Sequence, residues 1–157
     1  MNSLLSRAMR ILSQRDYSEA EMRRKLLTAH SSFRGREEQE PVSADDVNSV
    51  IEYCRQHGWL NDTGYAQKFV ESRSRKGYGP QRIQFEMQQK GISQEEASAA
   101  LASCDIDWFE IARDVATKKV GRRMPTDWKE KAKLQRHLAQ RGFRQDEIRA
   151  VFSDSEY

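Results

Sequence analysis

Apolar residues return along this chain at spacings of three and four. Val47, Val50, Ile51 and Cys54 follow i, i+3, i+4, i+7, which lays a stripe along one face of a helix. Fifty residues on, Ala97, Ala100, Leu101 and Cys104 repeat that spacing; fifty-one later, Ile148, Val151 and Phe152 follow it again. Each of these helices has a partner upstream with an i, i+4 apolar pair: Met22 and Leu26, Ile83 and Met87, Leu134 and Leu138. Partner and helix stand fourteen residues apart in the second and third cases and twenty-five in the first. The excess is the polar, turn-rich "HSSFRGREEQEPV", read as a surface loop. A further helix opens each set, around Leu5, Ala8 and Leu12, then Ala66, Phe69 and Val70, then Trp108, Ile111, Ala112 and Val115.

The punctuation agrees with that reading. Ser18 with Glu21 and Ser93 with Glu96 have capping-box spacing, and Ser43 and Asp107 are suited to N-cap positions. Gly58, Gly91 and Gly142 each precede an apolar residue, as helix-ending turns require. Nothing alternates as strands do, with β-branched residues at every second position. An all-α chain of nine helices in three tandem three-helix repeats is expected, elongated and curved. The expected boundaries are 1–58, with an inserted loop at about 30–42, then 59–105 and 106–157.

Composition adjusts this picture only slightly. With 37% hydrophobic residues and 32% charged ones in 157 residues, several small cores suit the chain better than one thick one. There is no run of eighteen apolar residues and no signal-peptide pattern at the start, so the expectation is a cytoplasmic protein without a membrane segment. Two cysteines fit a reducing compartment, and Cys54 and Cys104 are expected as core thiols.

Charge changes the picture more. The formal net charge is only +3, but successive blocks 1–36, 37–62, 63–92, 93–114, 115–149 and 150–157 carry +5, −6, +4, −5, +7 and −2. This alternation follows the repeat. If equivalent helices face one way, a positive stripe runs along one side, fit for an anionic polymer or an acidic protein groove. The other reading is ordinary solvated helix faces.

The segment "RSRKGYGPQRI", residues 73–83, joins the first and second helices of the second repeat. Gly77 and Gly79 are read as stopping one helix and Pro80 as opening the next. Such a turn serves as a phosphate-contacting loop, as a plain elbow, or as a surface for an acidic partner. Its cations surround Tyr78, expected to be exposed, in a combination that suits phosphate contact with stacking or an arginine-rich interface. It lacks the glycine spacing of a nucleotide loop. His30, His57 and His137 are scattered, and no acid, base, nucleophile or metal set converges, so an enzyme is not expected and no cofactor or metal is implied. Trp59, Trp108 and Trp128 are read as packing anchors at helix starts.

"SRSRKGYGPQRIQFEMQQKGIS", then "CDIDWFEIARDVATKK", and at the start "RAMRILSQRDYSEAEMRRKL", strongly resemble the RecX family of recombination regulators, in its gamma-proteobacterial form. The resemblance covers nearly the whole chain. It implies a protein of three tandem three-helix repeats that binds the RecA filament on single-stranded DNA, blocks its extension and dampens strand exchange, ATP hydrolysis and co-protease activity; a monomer is expected. It also implies weaker direct contact with DNA. A helical protein acting on nucleic acid alone is the alternative. The resemblance brings no residue-level binding set, so the candidate site rests on charge. It comprises Arg73, Arg75, Lys76, Tyr78, Arg82 and Lys90 in the second repeat, and Lys118, Lys119, Arg122, Arg123 and Lys129 in the third.

Overall fold

In a computed structural model the described residues are 2–28 and 42–153. All regular structure among them is helical: α1 (Asn2–Leu12), α2 (Glu19–Thr28), α3 (Ala44–Gln56), α4 (Asp62–Arg75), α5 (Pro80–Gln89), α6 (Gln94–Ser103), α7 (Trp108–Val120), α8 (Trp128–Gln140) and α9 (Gln145–Ser153). These nine fall into three successive sets of three, in the order the apolar spacing predicts. The inserted loop at about 30–42 lies outside the described residues, apart from Val42. No helix among the described residues is long and apolar enough to cross a membrane.

Local chemistry accounts for the helix ends. Ser18 Oγ accepts from the N–H of Glu21 at 3.1 Å, and Glu21 Oε1 accepts from the N–H of Ser18 at 3.0 Å, the reciprocal pair that its spacing predicts. Ser43 and Ser93 accept from the amides of Asp46 and Glu96, and Asp107 accepts from those of Phe109 and Glu110.

The chain divides into two compact units: Met1–Tyr65 with Lys90–Ile92, and Ala66–Gln89 with Ser93–Tyr157. In the first, α1, α2 and α3 bury Ala8, Met22, Leu26, Val47, Val50, Ile51 and Cys54 around a single core closed by Leu60. Burial pushes the Cys54 thiol up, so it is a packed, unreactive group. In the second unit, α7, α8 and α9 bury Ala112, Val115, Leu134, Leu138, Phe143, Ile148 and Val151. There α5 turns Ile83 and Met87 inward, and α6 buries Ala97 and Ala100.

Three expectations need correction. Cys104 is only half-buried; it is the C-cap of α6, its Sγ 3.0 Å from the Leu101 carbonyl. Trp108 is buried as expected, but Trp59 is 41% exposed and Trp128 is 72% exposed, so neither anchors a core. Trp128 is the first residue of α8, and the residues around it, Asp127, Lys129, Glu130 and Lys131, are polar and exposed.

Candidate functional site

The turn at residues 76–79 is built against a second turn in the same unit. Gly77, with φ of +85°, ends α4 in a left-handed conformation that other residues resist. Gly79 does a different job. A Cβ there would lie 2.4 Å from Gly142 C and 2.5 Å from Phe143 N, so the missing side chain lets two backbones touch rather than stopping a helix. The Gly79 N–H donates to the Arg141 carbonyl at 2.7 Å, and the Gln81 N–H donates to the Gly142 carbonyl at 3.0 Å. The turn before α5 and the turn after α8 are thus paired through their backbones, which the glycine-rich sequence makes possible.

Arg141 fastens the pair from the side. Its Nε donates to the Gly77 carbonyl at 3.2 Å and its Nη2 to the Lys76 carbonyl at 2.5 Å. These are carbonyls at the end of α4, where a cation is favoured by both the unmet acceptors and the helix dipole. The guanidinium also lies 4.3 Å from the centroid of the Tyr78 ring, and that of Arg82 lies 4.3 Å from the same ring. Tyr78 is therefore half-buried and engaged by two arginines, not the exposed stacking surface expected of it.

The predicted cations separate by what holds them. Arg73 and Arg82 both pair with Glu86, at 2.9 and 3.2 Å, and Arg73 also lies over the Phe69 ring. Lys90 belongs to the first unit, 3.9 Å from Glu21. Arg75 is 3.8 Å from Glu71, with both side chains largely in solvent, a contact worth little. Lys76, Lys118, Lys119, Arg122 and Arg123 have no ion-pair partner among the described residues, and all five are exposed. Lys129 sits beside exposed Trp128, its Nζ 5.8 Å from the ring centroid.

Four of these residues share one cleft. About 560 Å³ of space is lined by Arg75, Lys76 and Gly77 from the end of α4 and its turn, by one face of α7, and by His137 of α8 and its C-cap residue Arg141. The α7 face carries Ile111, Asp114, Val115, Lys118 and Lys119, an i, i+3, i+4, i+7, i+8 set with an apolar floor and a charged rim. Burial first, then the nearby charges of Lys119 and Arg141, hold the His137 imidazolium below its usual pKa range. The cleft is thus a region of positive potential relieved by one carboxylate, Asp114. Charge counting along the chain missed His137 and Arg141 as site residues. Among the described residues no group of three His, Cys, Asp or Glu side chains is placed to hold a metal ion.

A family model described as the second three-helix domain of RecX matches residues 61–101, and one described as its third three-helix domain matches residues 105–152. The chain belongs to the RecX family. A protein named Regulatory protein RecX from Serratia proteamaculans is 52% identical, with 98% of each chain covered. Its namesake from Yersinia enterocolitica is 48% identical over the same shares. The crystal structure of RecX from Lactobacillus salivarius matches with a TM-score of 0.79 at 19% identity, covering 99% of this chain and 96% of that one. That likeness shows the fold. Both sequence relatives are named as regulatory proteins.

Proposed function

We propose that this chain is a non-enzymatic regulator that binds RecA filaments on single-stranded DNA and inhibits their extension and activities. Membership of the RecX family supports RecA as the partner. The observation that carries the surface is the convergence of Arg75, Lys76, Lys118 and Lys119 on one cleft, with Asp114 as the single facing carboxylate. Arg122 and Arg123 follow α7 and extend the same excess of unpaired charge. Such a surface suits a groove in which acidic protein side chains and DNA phosphates both lie.

The test is RecA ATPase on single-stranded DNA, with this protein added at substoichiometric ratios. Wild type is expected to suppress turnover. The variant Lys76→Ala/Lys118→Ala/Lys119→Ala/Arg122→Ala/Arg123→Ala is expected to lose suppression, more steeply at higher salt. Full suppression by that variant at physiological salt overturns the assignment of the surface. Direct DNA binding has its own support in Trp128, largely in solvent beside Lys129 and suited to stacking on an unpaired base. Equal affinity for naked and RecA-coated single strands would favour that second reading.

A further inference from the structure

We infer that the cleft between α4, α7 and α8 is a seat for a compact phosphate chain, the di- or triphosphate of a nucleotide or a short inorganic polyphosphate. This shares the cleft with the reading above but needs no RecA, so the two fail separately.

Three features point to a compact, multiply charged ligand. First, Arg75, Lys76, Lys118, Lys119 and Arg141 come from three separate segments to one cleft of about 560 Å³, against the one carboxylate of Asp114. Compensation of helix dipoles explains Lys118 and Lys119 in the last turn of α7. It explains Arg75 in the last turn of α4 as well, but not why the two helix ends, with Lys76 and Arg141, bring their cations to one space. A single phosphodiester or carboxylate would neutralise only a fraction of this charge, whereas a di- or triphosphate concentrates several negative charges within one span. The volume falls within the ordinary range for small-ligand sites, roughly 300–1,000 Å³.

Second, one donor is fixed before any ligand arrives. Arg141 is held by the Lys76 and Gly77 carbonyls and by the Tyr78 ring, so its guanidinium needs little ordering on binding. The lysines are different: Lys76, Lys118 and Lys119 have no acidic partner among the described residues and are left to close on an anion. Third, His137 shares the lining of the cleft with Lys118, Lys119 and Asp114 of α7, Arg75 and Lys76 of the α4 end, and Arg141, the C-cap of its own helix. Burial first, and then the positive charges of Lys119 and Arg141, disfavour its protonation. An anion seated among these groups reverses that field and makes His137 a proton acceptor on binding.

The experiment is calorimetric titration of the full chain, without RecA, using tripolyphosphate, ATP, ADP, AMP, an unstructured oligothymidylate and polyglutamate at fixed salt. Tripolyphosphate, ATP and ADP are expected to bind with affinities at least about tenfold above AMP, because each further phosphate adds a charge-assisted contact. Tighter binding of ATP than of tripolyphosphate identifies a nucleotide as the source, and equal binding identifies the bare chain. Lys118→Ala/Lys119→Ala is expected to weaken binding at least about tenfold. Lys131→Ala/Arg149→Ala, an equal charge change at exposed positions outside the cleft, is expected to leave it unchanged. The proton NMR titration midpoint of the His137 ring should move upward with tripolyphosphate present. The inference is overturned if oligothymidylate or polyglutamate binds as tightly as tripolyphosphate, if the two double variants lose affinity equally, or if His137 does not respond. A Lys118→Ala/Lys119→Ala protein that loses the phosphate chain yet still inhibits RecA keeps this inference and removes the cleft from the regulatory surface.

Discussion

Replacing Gly79 with alanine tests whether two backbone turns hold the second unit together. The new Cβ would stand 2.4 Å from Gly142 C, 2.5 Å from Gly142 O and 2.5 Å from Phe143 N. Carbon atoms pack at about 3.5–4.0 Å, so the turns must part by about 1 Å. All three neighbours are backbone, and no side chain can swing aside to make room. Parting stretches the hydrogen bonds from Gly79 to Arg141 and from Gln81 to Gly142, now 2.7 and 3.0 Å, towards or beyond their useful range. Each bond is worth roughly 0.5–1.5 kcal/mol net, and forced overpacking adds about 1–3 kcal/mol. The lower chain entropy of unfolded alanine returns about 0.4–1 kcal/mol. Gly79→Ala should therefore cost about 1–6 kcal/mol.

The assay is urea unfolding followed by tryptophan fluorescence in a Trp59→Phe background, where Trp108 and Trp128 report on the second unit. Gly121→Ala is the internal comparison. Gly121 has φ of +84° and ψ of −173°, a region open essentially to glycine alone, with nothing within 4 Å of a built Cβ, so it isolates a backbone penalty of about 1–3 kcal/mol, less the same entropic return. If Gly79→Ala, whose backbone carries no such penalty, costs less than about 1 kcal/mol, the turns are not coupled through their backbones.

The other predictions concern burial. Trp108→Ala should cost about 3–5 kcal/mol, whereas Trp128→Ala, 72% exposed, should change stability by less than about 0.5 kcal/mol; comparable losses in thermal unfolding would contradict the placement of Trp128. Glu147 is 2% exposed, and burial raises its pKa above the ordinary glutamate value, although it accepts the Arg144 N–H at 2.7 Å. The unfolded chain therefore ionises first as pH rises, and this residue's contribution to stability is greatest below its unfolded pKa and is lost as pH climbs to the folded one. Glu147→Gln keeps an acceptor for that amide, so its stability relative to wild type should increase from pH 4 to pH 7 in urea titrations. A relative loss towards pH 7 would show that the carboxylate is needed charged.

Much of the fold was legible because its determinants are local. Ser18 and Glu21 stand three residues apart, and that spacing alone fixes which amide each can reach. The stripe Val47, Val50, Ile51, Cys54 needs no distant partner to define a face. The candidate site was less legible because its decisive contacts are distant along the chain. Arg82 and Glu86 are an i, i+4 pair readable on one helix, but Arg73 reaches the same carboxylate from thirteen residues away, and both cations are thereby partly neutralised. Nothing near Tyr78 announces that Arg141 will lie over its ring. Trp128 did carry a signal: its polar neighbours Asp127, Lys129, Glu130 and Lys131 leave no apolar stripe for it to join. The general tendency of tryptophan to be buried was the weaker guide.

Counting charge along a sequence treats every lysine and arginine alike, and the second unit shows why that is too coarse. Arg73 and Arg82 share Glu86, so their field at a distance is much reduced. Arg141 keeps its charge but gives part of its donor fork to two carbonyls, which makes it a fixed wall of the cleft rather than a mobile contact. Lys76, Lys118 and Lys119 are held by no ion pair among the described residues. Releasing counterions is open chiefly to cations of this last kind, because a paired arginine must first give up its carboxylate. The salt dependence of binding should accordingly follow the lysines of the cleft and be less sensitive to Arg73 and Arg82, even though all five residues belong to basic blocks of the sequence. Removing Arg73 or Arg82 would act instead through the stability of the α4–α5 turn, where each supports an aromatic ring and Glu86.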